Sequence, residues 1–92
     1  MNIFTGIGKI EDTSMNGRVL KFTFDVFQDK PCKIPCVLFD PNDEVKELIR
    51  QLQVKKKLVW LQGKAASYEF DYNDKTIRKL EIIAYHKNIK EI

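Results

Sequence analysis

One segment constrains the fold more than any other: residues 18–28, RVLKFTFDVFQ, alternate between apolar and polar side chains. A period of two is the signature of a β-strand with one face in a core and the other at the surface. The core-facing set is Leu20, Phe22, Phe24 and Val26. The chain is therefore expected to build a sheet around an apolar core.

Four more segments read as strands, bounded by turn signals. They lie at residues 2–11, 33–40, 57–72 and 76–86. Residues 13–17, which end in Asn16-Gly17, predict a hairpin turn, and residues 73–75 predict a second one. Pro35 predicts an edge or bulged position in the third strand. Gly6 and Gly8, at alternate positions, predict a bend or a close backbone approach in the first.

A single segment, residues 40–54, has the period of a helix. Asp40 is predicted to cap it, with Pro41 at the first helical position. Its apolar stripe is expected to close one end of the sheet. The stripe consists of Val45, Leu48, Ile49 and Leu52.

The predicted order is therefore β-β-β-α-β-β, with a long hairpin formed by the fourth and fifth strands. Ninety-two residues suffice for one core. An all-β chain of this size, with one helix between the third and fourth strands, predicts a five-stranded Greek-key barrel of the OB-fold type. Residues 1–92 are predicted to form a single OB-fold domain.

Several classes of protein are not indicated. No stretch approaches the roughly 18 apolar residues of a membrane span, and the N-terminus has no signal-peptide pattern, so a cytoplasmic protein without membrane association is expected. In an extended strand, Cys32 and Cys36 would lie about 13 Å apart, too far for a disulfide, so both are expected to be reduced. His86 is the one histidine, and no nucleophile–base pair or phosphate loop is visible. No catalytic residue, metal or cofactor is therefore predicted.

Aromatic side chains outside the core-facing sets are interspersed with basic residues in a chain of net charge +3. Proteins that bind single-stranded nucleic acid combine a basic groove for phosphates with exposed aromatics that stack on bases. The candidate stacking residues are Phe27, Phe39, Trp60, Tyr68, Phe70 and Tyr72. The candidate phosphate contacts are Arg18, Lys21, Lys33, Lys64, Lys75, Arg78 and Lys79. Each of these aromatics could instead pack against the helix or a partner subunit, and each cation could be a solvated surface charge.

Residues 37–70, VLFDPNDEVKELIRQLQVKKKLVWLQGKAASYEF, resemble a run in the bacterial single-stranded DNA-binding (SSB) family, "VxLFGKxAE…KGxxVxxEGxLxxRxW". The resemblance places Phe39 at the phenylalanine of "LFG", Gly63 at the glycine after the strand, and Phe70 where the family has a base-stacking tryptophan. Residues 78–84, RKLEIIA, are similar to the family's closing strand. The resemblance implies an OB-fold that binds single-stranded DNA.

The chain also departs from that family. Asp40 stands where "LFG" has its glycine, and Lys33 lies near the position of a family tryptophan. The chain ends in HKNIKEI rather than in an acidic tail with a terminal phenylalanine. It resembles the compact SSB-like proteins of phages and mobile elements, so the docking role of the tail is not carried over.

The sequence thus predicts sequence-tolerant binding of single-stranded DNA in replication, recombination or transfer, with no enzymatic activity. The predicted partners are single-stranded DNA, other replication proteins and further copies of the chain, as a dimer or a tetramer. Two alternatives stay open: an OB-fold that binds RNA, and a protein-interaction or assembly module whose aromatics lie in a subunit interface.

Overall fold

The structure is a computed structural model and describes residues 2–92. Its elements follow the predicted order of three strands, a helix and two strands. Their bounds are β1 Ile3–Asn16, β2 Val19–Val26, β3 Lys33–Phe39, α1 Asp43–Val54, β4 Val59–Tyr72 and β5 Lys75–Glu91. The all-β class with one helix is confirmed.

The five strands close into a barrel in the order β1-β2-β3-β5-β4. Neighbours are antiparallel except β3 and β5, which run parallel and pair through Cys36–Ile82 and Val37–Ile83. The antiparallel pairing of β1 with β4 completes the ring. This topology, together with the position of the helix, confirms the predicted OB-fold barrel.

The alternation in β2 has the predicted consequence. Leu20, Phe22 and Phe24 are buried in the barrel, and Phe24 has no exposed surface. Gly8 lies where β1 crosses close to β2, because a Cβ there would stand 2.3 Å from the carbonyl oxygen of Asp25. The predicted close backbone approach at Gly8 is therefore confirmed.

The helix begins later than predicted. Its N-cap is Asn42, whose side chain accepts a hydrogen bond from the Val45 N–H at 2.8 Å. The assignment of Asp40 as the cap is wrong, because Asp40 has a left-handed backbone with φ +49° and donates its N–H to the Arg18 carbonyl at 2.8 Å. The chain reverses at Asp40, and the helix follows only after Pro41.

The helix closes one end of the barrel through part of its apolar stripe. Ile49 and Leu52 are 1% and 3% exposed and belong to the core, while Val45 packs against the core from its edge. Leu48 is 37% exposed, so its predicted place in the cap is wrong. The stripe is narrower than its spacing suggested, because the barrel mouth covers only the side of the helix that faces it.

Three strand boundaries also differ from the predictions. β1 continues to Asn16, because its register with β2 shifts between Glu11 and Ser14 and then resumes. The first turn is therefore confined to residues 17–18 rather than 13–17. β2 ends at Val26 rather than at residue 28. β5 runs to Glu91, because its pairing with β4 shifts register between Leu61 and Gly63 and then continues, and Ile89 is again buried in the core.

Residues around the third strand behave largely as expected. Pro35 pairs with Thr23 in regular register, and β5 joins β3 only from the next residue onward. The edge position predicted for Pro35 is thus confirmed, without a bulge.

Both cysteines are free thiols. Burial in the core, with a smaller contribution from the charge of Glu81, raises the pKa of Cys36 to about 12.

Candidate nucleic-acid interface

The hairpin of β4 and β5 carries an aromatic surface. The two strands pair without interruption from Gly63–Ala84 to Tyr72–Lys75 and turn at residues 73–74. Paired residues project on the same face of a two-stranded ribbon. One face of the outer hairpin, here called the aromatic face, consists of Tyr68, Phe70, Tyr72, Lys75, Ile77 and Lys79. The predicted alignment of the three aromatics on one face is confirmed.

The rings on the aromatic face are exposed and already ordered. Tyr68, Phe70 and Tyr72 are 42%, 37% and 62% exposed. The Tyr68 and Phe70 rings stack with centroids 6.2 Å apart and planes at 26°. The Lys79 Nζ lies 5.6 Å from the Phe70 centroid. Flat apolar surfaces and a cation are therefore held side by side.

The opposite face of the same hairpin carries mostly polar and charged side chains, with the exposed Leu80 among them. Glu69 accepts a hydrogen bond from Arg78 at 2.6 Å, and Asp71 accepts one from the Thr76 hydroxyl at 3.1 Å. Arg78, predicted as a phosphate contact, is thus on the face away from the aromatics, with its guanidinium held by a carboxylate. The structure does not bring Arg78 together with the aromatic face.

The aromatic face continues onto the outside of the barrel. Lys21 pairs with Val37, Val37 with Ile83, and Ile83 with Lys64, so these four form one row across four strands. We call them the barrel row. Lys64 and Tyr68 have the same parity on β4 and therefore face the same side. In the barrel row, the exposed Lys21 and Lys64 lie at the two ends, and the less exposed Val37 and Ile83 lie between them.

Two predicted residues lie on the same outer surface of β3, at its two ends. Phe39 is 49% exposed, and its partner on β2 is Val19. Lys33, at the start of β3, forms an ion pair with Glu11 at 3.5 Å. Arg18 precedes Val19 and forms an ion pair with Asp40 at 2.6 Å, so this cation stands near Phe39 but is already neutralised.

Phe27 and Trp60 lie elsewhere on the barrel. Phe27 follows the end of β2 and donates its N–H to the Ile7 carbonyl at 2.8 Å. On the other edge of β1, Ile7 pairs with Trp60 of β4. Four residues along β4 separate Trp60 from Lys64, or about 13 Å. The six predicted aromatics therefore divide into two groups, one on the hairpin and β3 and the other around Ile7.

One residue of the aromatic face was missed from the sequence. Ile77 pairs with Phe70 across the hairpin. Asn73 and Asp74 both have positive φ, at 50° and 61°, which is the pattern of a two-residue type I′ turn. Had the turn been read as two residues rather than three, the register would have placed Ile77 opposite Phe70.

The described part of the chain, residues 2–92, contains no group of three or more His, Cys, Asp or Glu side chains positioned to hold a metal ion. His86 lies beside the helix, in a groove with Val45 and Leu48. Within the same residues, no helix has the length and apolarity needed to cross a membrane.

The fold is the OB-fold barrel that is also found in several solved single-stranded DNA-binding proteins. The mitochondrial single-stranded DNA-binding protein Rim1 of S. cerevisiae superposes with a TM-score of 0.72 at 17% identity, over 99% of this chain and 94% of that one. The Plasmodium falciparum SSB, in a complex with single-stranded DNA, gives 0.69 at 18% identity, over 98% and 91%. A small single-stranded DNA-binding protein from Mycoplasma pneumoniae gives 0.63 at 16%, over 99% and 93%.

No family model matches this sequence, and no curated protein matches it either. At identities below 20% the structural likeness establishes the fold.

Proposed function

We propose that this protein binds single-stranded DNA without sequence preference, along the aromatic face and the barrel row. The observation that carries the proposal is the segregation of the hairpin. Three exposed aromatics and two lysines share one face, while the ion pair of Glu69 with Arg78 occupies the other. None of the three aromatics belongs to the buried core cluster, so packing of the barrel does not account for them.

The two parts of the surface have different tasks. Bases stack on Tyr68, Phe70 and Tyr72, at about 1–3 kcal/mol each. Phosphates lie against Lys75 and Lys79 on the hairpin and against the two lysines of the barrel row. A strand that follows this surface passes from the hairpin over the outside of the barrel towards Phe39.

The chemistry of the surface also supports sequence tolerance. Base edges are read by side chains that donate and accept in pairs, such as Arg, Asn and Gln. The aromatic face and the barrel row contain aromatic, aliphatic and lysine side chains instead. Such a surface holds any base by its flat face and any nucleotide by its phosphate.

The biological setting of the proposal is DNA replication, recombination or transfer, with no catalytic reaction assigned to the chain. The likeness to single-stranded DNA-binding proteins, one of them in a complex with single-stranded DNA, supports it. Contacts with other replication proteins and the cytoplasmic location stay predictions. RNA is the alternative ligand, since the same stacking surface accepts either backbone.

The test is a fluorescence anisotropy titration of labelled oligo(dT), with unlabelled duplex DNA and oligo(U) as competitors. The proposal predicts saturable binding of oligo(dT) that duplex of the same length does not compete away. Equal competition by duplex would contradict the stacking surface, because paired bases cannot offer their flat faces to it. Stronger competition by oligo(U) than by unlabelled oligo(dT) would move the assignment to RNA.

A further inference from the structure

A carboxylate lies on the proposed DNA-binding surface, between the aromatic face and the barrel row. Glu81 stands between Lys79 and Ile83 at alternate positions of β5, so these three side chains project to the same side. Ile82 and Ala84, which alternate with them, are buried in the barrel. Glu81 is therefore an acid at the centre of a surface that carries mostly aromatic, aliphatic and lysine side chains.

The carboxylate of Glu81 is available to a ligand. Within residues 2–92 it takes part in no ion pair. Lys79, the neighbouring cation on the same face of β5, lies instead over the Phe70 ring, with its Nζ 5.6 Å from the centroid. Glu81 is half-buried and pairs across the hairpin with Ala66. Because a partly desolvated charge without a partner is unfavourable, a ligand that brings hydrogen-bond donors to Glu81 gains affinity.

The open side of the Tyr68 ring faces towards Glu81. Phe70 covers one side of this ring, with the two centroids 6.2 Å apart. Ala66 is the next residue of β4 on the other side of Tyr68, and its small side chain leaves room above the strand. Tyr68 pairs with Lys79, and the next pair on this face is Ala66 with Glu81. Glu81 is thus a diagonal neighbour of Tyr68, at roughly 7–8 Å, so a base stacked on the open side has its edge beside the carboxylate.

An acid at this position contacts a base edge rather than a phosphate. It repels a phosphate, and the flanking Lys64 and Lys79 attract phosphates away from it. A carboxylate only accepts hydrogen bonds, so Glu81 distinguishes bases by the donors on their edges, which are free in a single strand.

The four bases differ in what they offer to a carboxylate. Guanine presents its N1–H and its N2 amino group side by side, so both can donate to the two carboxylate oxygens. Cytosine and adenine each present one amino group next to an acceptor nitrogen. Thymine presents a single N–H between two carbonyl oxygens, which the carboxylate repels. Guanine is therefore the best partner for Glu81, and thymine is the worst.

We propose that Glu81 biases binding towards guanine and against thymine at the nucleotide stacked on Tyr68. This inference rests on the proposed function, because it concerns a base that the aromatic face already holds. The stacking contacts accept every base, so the protein still binds anywhere along a strand. Glu81 adds a bias in base composition at one position, which is not recognition of a sequence.

The test is a set of anisotropy titrations with three oligomers of equal length: oligo(dT), alternating dT–dG and alternating dT–dI. Lithium chloride is the salt, because it does not support guanine quadruplexes. Inosine keeps the N1–H of guanine but lacks the amino group, so it removes one of the two hydrogen bonds. Each protein is described by the Kd for oligo(dT) divided by the Kd for the mixed oligomer.

This ratio is compared between the wild type and Glu81→Gln, which removes the charge and keeps the size of the side chain. The comparison cancels differences in stacking between bases and the general gain from removing a negative charge. A paired contact of this kind discriminates by about fivefold or more. The ratio for dT–dG is therefore expected to be about fivefold higher in the wild type than in Glu81→Gln, and the ratio for dT–dI is expected to differ less.

Glu69→Gln is the matched control, with urea unfolding to show that both variants are folded. Glu69 pairs with Arg78 on the opposite face of the same hairpin. Its substitution removes the same charge from the hairpin without touching the base, so the ratio should stay at the wild-type value.

Three results would overturn the inference: the same ratio in the wild type and in folded Glu81→Gln, an equal fall in Glu69→Gln, or a dT–dI oligomer that binds as tightly as dT–dG. Binding of all three oligomers with ratios that Glu81→Gln does not change refutes this inference alone. A folded wild type that binds none of the oligomers refutes the proposed function.

Discussion

Replacing Phe70 by alanine separates a stacking residue from a structural one. Phe70 lies on the projecting hairpin, outside the buried core cluster. Its contacts are the stack with Tyr68 and the cation of Lys79. Loss of the aromatic stack costs about 0.5–1.5 kcal/mol, and loss of the cation–π contact costs about 0.5–1 kcal/mol. The free energy of unfolding is therefore expected to fall by about 1–2.5 kcal/mol, below the roughly 3–5 kcal/mol for a phenylalanine deleted from a core.

The same substitution is also expected to weaken the binding of single-stranded DNA. One lost base stack costs about 1–3 kcal/mol, which weakens oligo(dT) binding about 5- to 150-fold. The slope of affinity against salt should not change, because Phe70 contacts no phosphate. The assay pairs anisotropy titrations with urea unfolding of the same variant.

Leu80→Ala is the control for this prediction, since Leu80 is an exposed apolar residue on the opposite face of the hairpin. Its affinity for oligo(dT) should match that of the wild type. If Phe70→Ala unfolds as easily as a core variant and its folded fraction binds oligo(dT) with undiminished affinity, the reasoning is refuted.

Three further predictions concern the helix, the buried thiol and the Arg18–Asp40 ion pair. Ile49→Ala should lower the free energy of unfolding by about 2–5 kcal/mol, whereas the exposed Leu48→Ala should lower it by less than about 1 kcal/mol; equal losses in chemical denaturation would mean that the helix packs differently. Because the pKa of Cys36 is raised to about 12 from 9.0, the unfolded state loses this proton first, so stability should fall as the pH rises above about 9; Cys36→Ala should show a shallower fall, and identical slopes would contradict the burial of the thiol. Asp40→Asn frees the guanidinium of Arg18 for a phosphate while keeping a residue that tolerates positive φ. It should tighten oligo(dT) binding and steepen the salt slope by about 0.7, and an unchanged slope would show that Arg18 makes no phosphate contact.

The sequence predicted the fold well where one signal dominated. The alternation of β2 and the single helix between the third and fourth strands were sufficient to predict the barrel. The helix cap was missed because Asp40 and Asn42 are both good caps, and only the chain reversal at Asp40 decides between them. The helix period likewise could not show that the barrel mouth leaves Leu48 exposed.

The candidate site was predictable where one strand defined it. Parity on β4 was enough to align Tyr68, Phe70 and Tyr72. The sequence could not show that Trp60 lies apart from these three aromatics. That depends on the pairing of β4 with β1, in which Trp60 lies opposite Ile7. The pairing of Arg78 with Glu69 depended on the hairpin register, which the sequence had not fixed. Contacts between strands far apart in the chain are set by barrel closure, and no local pattern encodes it.

The most direct test of DNA binding on this surface is the salt dependence of oligo(dT) affinity. Within residues 2–92, four predicted contacts on the aromatic face and the barrel row make no ion pair: Lys21, Lys64, Lys75 and Lys79. Each phosphate neutralised on a single strand contributes a slope of about −0.7, so log K against log salt should fall with a slope of about −3. Replacing Lys75 and Lys79 together by glutamine should reduce that slope to about −1.4. An affinity that does not change with salt, or a double variant with the slope of the wild type, would contradict the account.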